Sequence, residues 1–129
     1  MFLLNYGVCD RNRYRKAAEQ GLADAQMQLG GMYEFGLGVP QDNIEALKWY
    51  RKVADQGHPR AQYVVGNAYE SGVGVARDPV LAYMWFHLAA AQGDPDAAKA
   101  RDMVAAKMTP DQITEAQRLA REWKPTTGQ

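Results

Sequence analysis

The chain has one cysteine, Cys9, in its 129 residues. An intramolecular disulfide needs two, so no disulfide framework and no cysteine-based zinc cluster can hold it together. No base stands near Cys9 in the sequence to make it a reactive thiol. Charge imbalance is missing too: 15 Lys and Arg balance 15 Asp and Glu. Duplex-binding proteins carry a basic excess, so no nucleic-acid partner is expected. The one basic run, "RNRYRK" (Arg11 to Lys16), reads as a solvated helix face. No apolar run approaches the ~20 residues of a membrane helix, so no membrane span is expected. The start, "MFLLNYGVC", is apolar. It lacks a basic n-region, a long h-region and the small residues that precede a lipidated cysteine. The expectation is a cytoplasmic chain as written, or a periplasmic or secreted one if the start is truncated. No HExxH and no Gly-x-Ser-x-Gly motif occurs, so two common catalytic signatures are absent.

What remains is 47% hydrophobic and 23% charged, the balance of one ordered domain or a short repeat array. The repeat is plain to see. "YEFGLGVPQD" (Tyr33 to Asp42) returns 36 residues later as "YESGVGVARD" (Tyr69 to Asp78). Residues 25–60 align with 61–96 without a gap, and 15 of the 36 positions are identical. Four glycines, a tryptophan and a proline fall in register. A period in the thirties points to a helical solenoid.

Each unit reads as two helices. The first spans about Asp24 to Phe35, and in the next copy Arg60 to Ser71. Ala25, Leu29 and Tyr33 recur at a spacing of four, which lines one face. Gly36 stops that helix, because glycine accepts a positive φ without a Cβ clash. Asp42 caps the second helix, with Glu45 completing a capping-box pattern; Asp78 and Pro79 play the cap and first-turn roles one unit on. The doubled loop is therefore a hairpin between antiparallel helices. It lacks the Lys-Ser/Thr pair and the preceding strand of a phosphate loop. Gly30 and Gly66 sit mid-helix, where glycine costs about 1 kcal/mol against alanine, and close approach of a neighbouring element would explain both. Trp49 and Trp85 read as core wedges.

The pattern Ala-x₃-Leu-Gly-x₂-Tyr-x₂-Gly-x-Gly-Val-x₂-Asp-x₃-Ala-x₂-Trp, then Ala-x-Gln-Gly, resembles the Sel-1-like repeat family, short-period relatives of the tetratricopeptide repeats. Ala25, Leu29, Gly30, Tyr33, Gly36, Gly38, Val39, Asp42, Ala46, Trp49, Ala54, Gln56 and Gly57 carry it. The second copy departs at Leu29, which becomes Val65. The resemblance implies an all-α, α/α superhelical solenoid of antiparallel helix pairs with C-terminal capping helices. Five or six helices in a right-handed superhelix are expected. The expected organisation is a partial repeat over 1–24, repeats over 25–60 and 61–96, capping helices over 97–123 and a disordered tail over 124–129. In the cap, Arg101, Asp102 and Ala105 replace the expected Leu, Gly and Tyr, which suits a polar outer face. A last helix over Thr109 to Trp123 carries a capping box and an inner stripe of Ile113, Ala116, Ala120 and Trp123. Disulfide-rich members of the family are associated with β-lactam binding through a cysteine pair per repeat; a chain with one cysteine does not inherit that.

Functionally, the resemblance implies a protein–protein interaction scaffold rather than an enzyme. No catalytic residue, metal or cofactor is expected. His58 lies in the turn "GHPR" and reads as a turn or cap residue, and His87 stands where the other copy has Arg51, on an exposed face. Glu34 and Glu70 share a phase one repeat apart. At helix-packing distances of ~10 Å they suit binding a cationic group better than acid–base work. If Ala25, Leu29 and Tyr33 point inward, Met27, Gly31 and Glu34 share another face. Tyr63, Asn67 and Glu70 match them in the second copy, and Lys99 and Met103 in the cap. These eight are the expected concave-face contacts for a protein or peptide segment; the alternative is a merely solvated helix side. A second functional reading is an inhibitor, immunity-type or oligomer-completing subunit. The half repeat at Arg11 to Gln20 needs cover for Tyr14 and Ala18, which Phe2, Leu3, Leu4 and Val8 could supply. The expectation there is a homodimer through residues 1–20, against a self-capped monomer.

Overall fold

The computed structural model describes residues 11–126. They form α1 (Arg11–Glu19), α2 (Ala23–Phe35), α3 (Asn43–Asp55), α4 (Pro59–Ser71), α5 (Pro79–Ala91), α6 (Pro95–Ala105) and α7 (Pro110–Glu122), and no strand. Seven helices replace the five or six expected. The cap region makes two of them: turns at Lys107 and Met108 close on Val104 and Ala105 at 3.0 Å each, and Thr109 then starts a new helix. From α1 to α6 each helix packs on its successor, while α7 folds back onto α5. The apolar cover and two-fold contact expected from residues 1–20 fall largely on residues 1–10, outside the described residues.

Local chemistry sets the helix ends. Asp42 accepts hydrogen bonds from the backbone N–H groups of Ile44 and Glu45 at 3.0 and 3.1 Å, and Asp78 does the same for Val80 and Leu81. The capping box expected with Glu45 does not form. The Asp42 N–H it would need is already given to the Tyr33 carbonyl at 2.8 Å, and Glu45 pairs with Lys48 instead. Asp78 repeats this bond to the Tyr69 carbonyl at 2.9 Å, so one backbone bond ties each hairpin shut. Gly36 and Gly72 lie at φ 69° and 74°, the left-handed turn that ends α2 and α4. At α7 both halves of the Thr109–Gln112 capping box are present.

Aromatic rings lie against the mid-helix glycines. A Cβ on Gly30 would sit 2.7 Å from the Tyr50 ring, and one on Gly66 would sit 2.6 Å from Phe86. Leu29, Val65, Val53, Trp85, Phe86 and Val104 fill the interior. Trp85 meets Trp123 of the cap edge-on at 6.0 Å. Ala116 and Ala120 are buried, with Ile113 and Trp123 half-buried beside them. Two buried glutamines cross-link the units. Gln26 donates to the Ala18 carbonyl at 3.0 Å and accepts from Gln56 at 2.8 Å. Gln62 repeats both bonds with Ala54 and Gln92. Each buried amide thus has its carbonyl oxygen and one N–H satisfied, which burial requires. The ladder ends in the cap, where Ala98 stands one period after Gln62. Residues 124–126, read from the sequence as the start of a disordered tail, lie against the end of α3. There the Thr126 N–H donates to the Asp55 carbonyl at 2.7 Å, meeting a helix-end acceptor.

Candidate binding surface

A cavity of about 310 Å³ opens between the end of α2, the first half of α3 and the face of α4. Leu47, Val64 and Val73 give it apolar walls, and Asn43, Asn67 and Ser71 add amide and hydroxyl groups. Glu34 is its one carboxylate. Tyr50, wedged on Gly30, donates its hydroxyl to Glu34 Oε1 at 2.7 Å. Burial pushes the Tyr50 hydroxyl far above the usual tyrosine range, and the hydrogen bond and charge of Glu34 push it further. Tyr50 therefore stays a donor, and its bond holds Glu34 at the edge of the cavity.

The eight expected contact residues divide. Glu34 and Asn67 come together in this cavity, and Gly31 lies beside the Tyr50 hydroxyl. Met27 and Tyr63 are half-buried against the larger core cluster. Tyr63 packs on Phe86 with ring centroids 5.7 Å apart, and the Arg60 guanidinium covers it at 4.3 Å. Glu70 is held within 3.5 Å of both Arg77 and Lys107. Lys99 and Met103 are exposed on α6. The sequence reading missed Tyr50, although its alternation with Phe86 at the repeat offset was a visible signal.

Outside the cavity, Arg15 reaches the Tyr33 hydroxyl, and Arg51 repeats the contact to Tyr69 at 3.2 Å. Tyr33 is thus half-buried rather than pointing wholly inward. Arg51 also lies 5.2 Å over the Trp85 ring. The third arginine position holds His87, which is not on an open face as expected. It stacks on Tyr83 at 5.9 Å and its Nδ1 lies 3.4 Å from Arg101. Burial and then the Arg101 charge hold its imidazole below the usual pKa. His58 occupies the N-cap position of α4 without a side-chain cap bond. It also lines a second cavity of about 660 Å³ with Arg13, Tyr14, Leu22 and Asp24, at the α1 end of the stack. Among the described residues no three His, Cys, Asp or Glu side chains gather as a metal site, and no helix is long and apolar enough to cross a membrane.

Comparison with known proteins bears on what such a surface serves. The Sel1 repeat model matches residues 14–22, 23–58 and 59–94. No curated protein sequence matches the chain. Among solved structures, a protective antigen of uropathogenic Escherichia coli with an SLR fold superposes with a TM-score of 0.82 at 35% identity, over 88% of this chain. The chain spans 24% of that protein's length. A Sel1 repeat protein from Oxalobacter formigenes superposes with a TM-score of 0.67 at 48% identity, over 69% of this chain and 67% of its own.

Proposed function

The chain belongs to the Sel1 repeat family, whose members are generally protein-interaction scaffolds, and from that premise we propose that it binds a protein or peptide segment along the α2–α4–α6 face. One observation carries the reading. Positions that hold the repeats together are identical between copies, as in Gln26 and Gln62, Gly30 and Gly66, or Gln56 and Gln92. Positions on the open part of the α2–α4 face differ, as in Gly31 and Asn67 or Phe35 and Ser71. A surface freed from packing duty can be shaped to a partner, and repeats display such surfaces in series. The face offers amides, a carboxylate, methionines and an aromatic, a mixture suited to an extended segment with alternating chemistry.

The test is calorimetric titration of a partner captured from the protein's own organism. Asn67→Ala and Met103→Ala should each weaken binding several-fold and leave the melting temperature unchanged, since both side chains are exposed. Lys48→Ala, at an exposed position of α3, should change neither the affinity nor the melting temperature. Binding untouched by both face variants would place the interaction elsewhere and end this reading. Tyr63 is a poorer probe, because its packing on Phe86 makes loss of binding inseparable from loss of fold.

A further inference from the structure

The repeat contains a comparison of its own. One period after Glu34 stands Glu70, and one period after Ser71 stands Lys107. In the cap-side copy the Lys107 ammonium lies 3.5 Å from Glu70 Oε2, and Arg77 lies 3.5 Å from Oε1. In the first copy the corresponding residues are Ser71 and Gln41, both neutral. Gln41 turns to the Glu34 backbone carbonyl and to Asn43 instead. Among the described residues Glu34 has no cation within ion-pair distance, only the Tyr50 hydroxyl on one of its oxygens. Beside it lies the cavity of about 310 Å³ walled by Leu47 and Val64.

We propose that this cavity is a receptor for a lysine side chain of the protein partner. The lysine's ammonium would sit by the free oxygen of Glu34 as the Lys107 ammonium sits by Glu70. Its four-carbon stem would lie along Leu47 and Val64, as long cationic side chains cover apolar surface while keeping the charge at a polar rim. Asn67 and Ser71 supply oxygens for the remaining ammonium hydrogens, since an ammonium carries three donors. Ser71 is the small neutral residue where the second copy has Lys107, which leaves room beside Glu34 for an incoming ammonium. The proposal rests on the scaffold reading and adds the chemistry of one contact.

The probe is Nα-acetyl-L-lysine N-methylamide, titrated at low salt into the ¹⁵N-labelled full chain. Saturable shifts are expected at the amides of Glu34, Asn67 and Ser71, weakening as salt screens the pair. They should vanish in Glu34→Gln. They should vanish also in Ser71→Lys, where the introduced ammonium occupies the place from within. If Glu34→Gln loses its helical circular dichroism, Ser71→Lys decides alone. Equal shifts from the norleucine analogue would show an apolar pocket with no charge recognition and overturn the proposal. So would stronger binding of the arginine analogue, or shifts that survive either variant. A natural partner whose affinity falls with Asn67→Ala but not with Glu34→Gln would also overturn it and leave the scaffold reading standing.

Discussion

Trp85 and Asp78 serve the same helix, α5, in different ways: one fills the core, the other only starts the helix. Trp85 is 1% exposed and meets Trp123 and the Arg51 guanidinium. Truncating a buried large aromatic costs ~3–5 kcal/mol, so Trp85→Ala should lose that much. Asp78 accepts two backbone N–H bonds, and Asp78→Ala should cost ~1 kcal/mol. Chemical denaturation that ranks Asp78 above Trp85 would contradict the core assignment. His87 gives a pH signature. Its folded pKa lies below the ordinary value, from burial and the nearby Arg101. The unfolded chain therefore binds more protons around and below about pH 6.5. The neutral imidazole's stabilisation is full above that pH and is lost as pH falls through it toward the lower folded value. Melting followed from about pH 8 to about pH 5 should show a larger fall in the wild type than in His87→Phe; an equal or smaller fall would contradict it. Reading His87 from the sequence misled because its partner copy, Arg51, is exposed. Tyr83, where the other copy has Leu47, and Arg101 of the cap change what that position faces.

At the scale of the helix, the stops and starts were legible because they are local: Gly36 and Gly72 at positive φ, aspartates at N-caps, Pro79 and Pro110 in first turns. The capping box at Glu45 was not, because a non-local bond to Tyr33 takes the donor it needs. The glycines show the same division. Close approach at Gly30 and Gly66 was readable from their cost in a helix. Which group approaches was not, since that depends on how two helices cross. Phe86 is 1% exposed, so its ring has nowhere to yield to a Cβ 2.6 Å away. Gly66→Ala should therefore destabilise by ~1–3 kcal/mol, the overpacking range, despite alanine's better helix propensity. Adding Phe86→Leu should recover part of that loss in a double-mutant cycle. A Gly66→Ala variant more stable than the wild type would mean that the glycine serves no close contact.

For the whole molecule, the period of 36 residues carried the fold into view, because each unit must bury against its neighbour and so repeats the same packing residues. The proposed binding face was only half legible. Positions that vary between copies mark it, but Met27 and Tyr63 share its phase and still pack on the core. Tyr50, which fixes Glu34 in the cavity, lies on the other helix of the pair, and its exchange for Phe86 one period on was its one mark in the sequence. The central claim is that the α2–α4 face meets a protein partner. The direct measurement is photo-cross-linking in the protein's own organism, with benzoyl-phenylalanine placed at Asn67 on that face or at the exposed Lys48 position of α3. The account predicts a discrete protein adduct from Asn67, competed away by unlabelled protein, and none from Lys48. An adduct from Lys48 alone, or equal adducts from both positions, would contradict it.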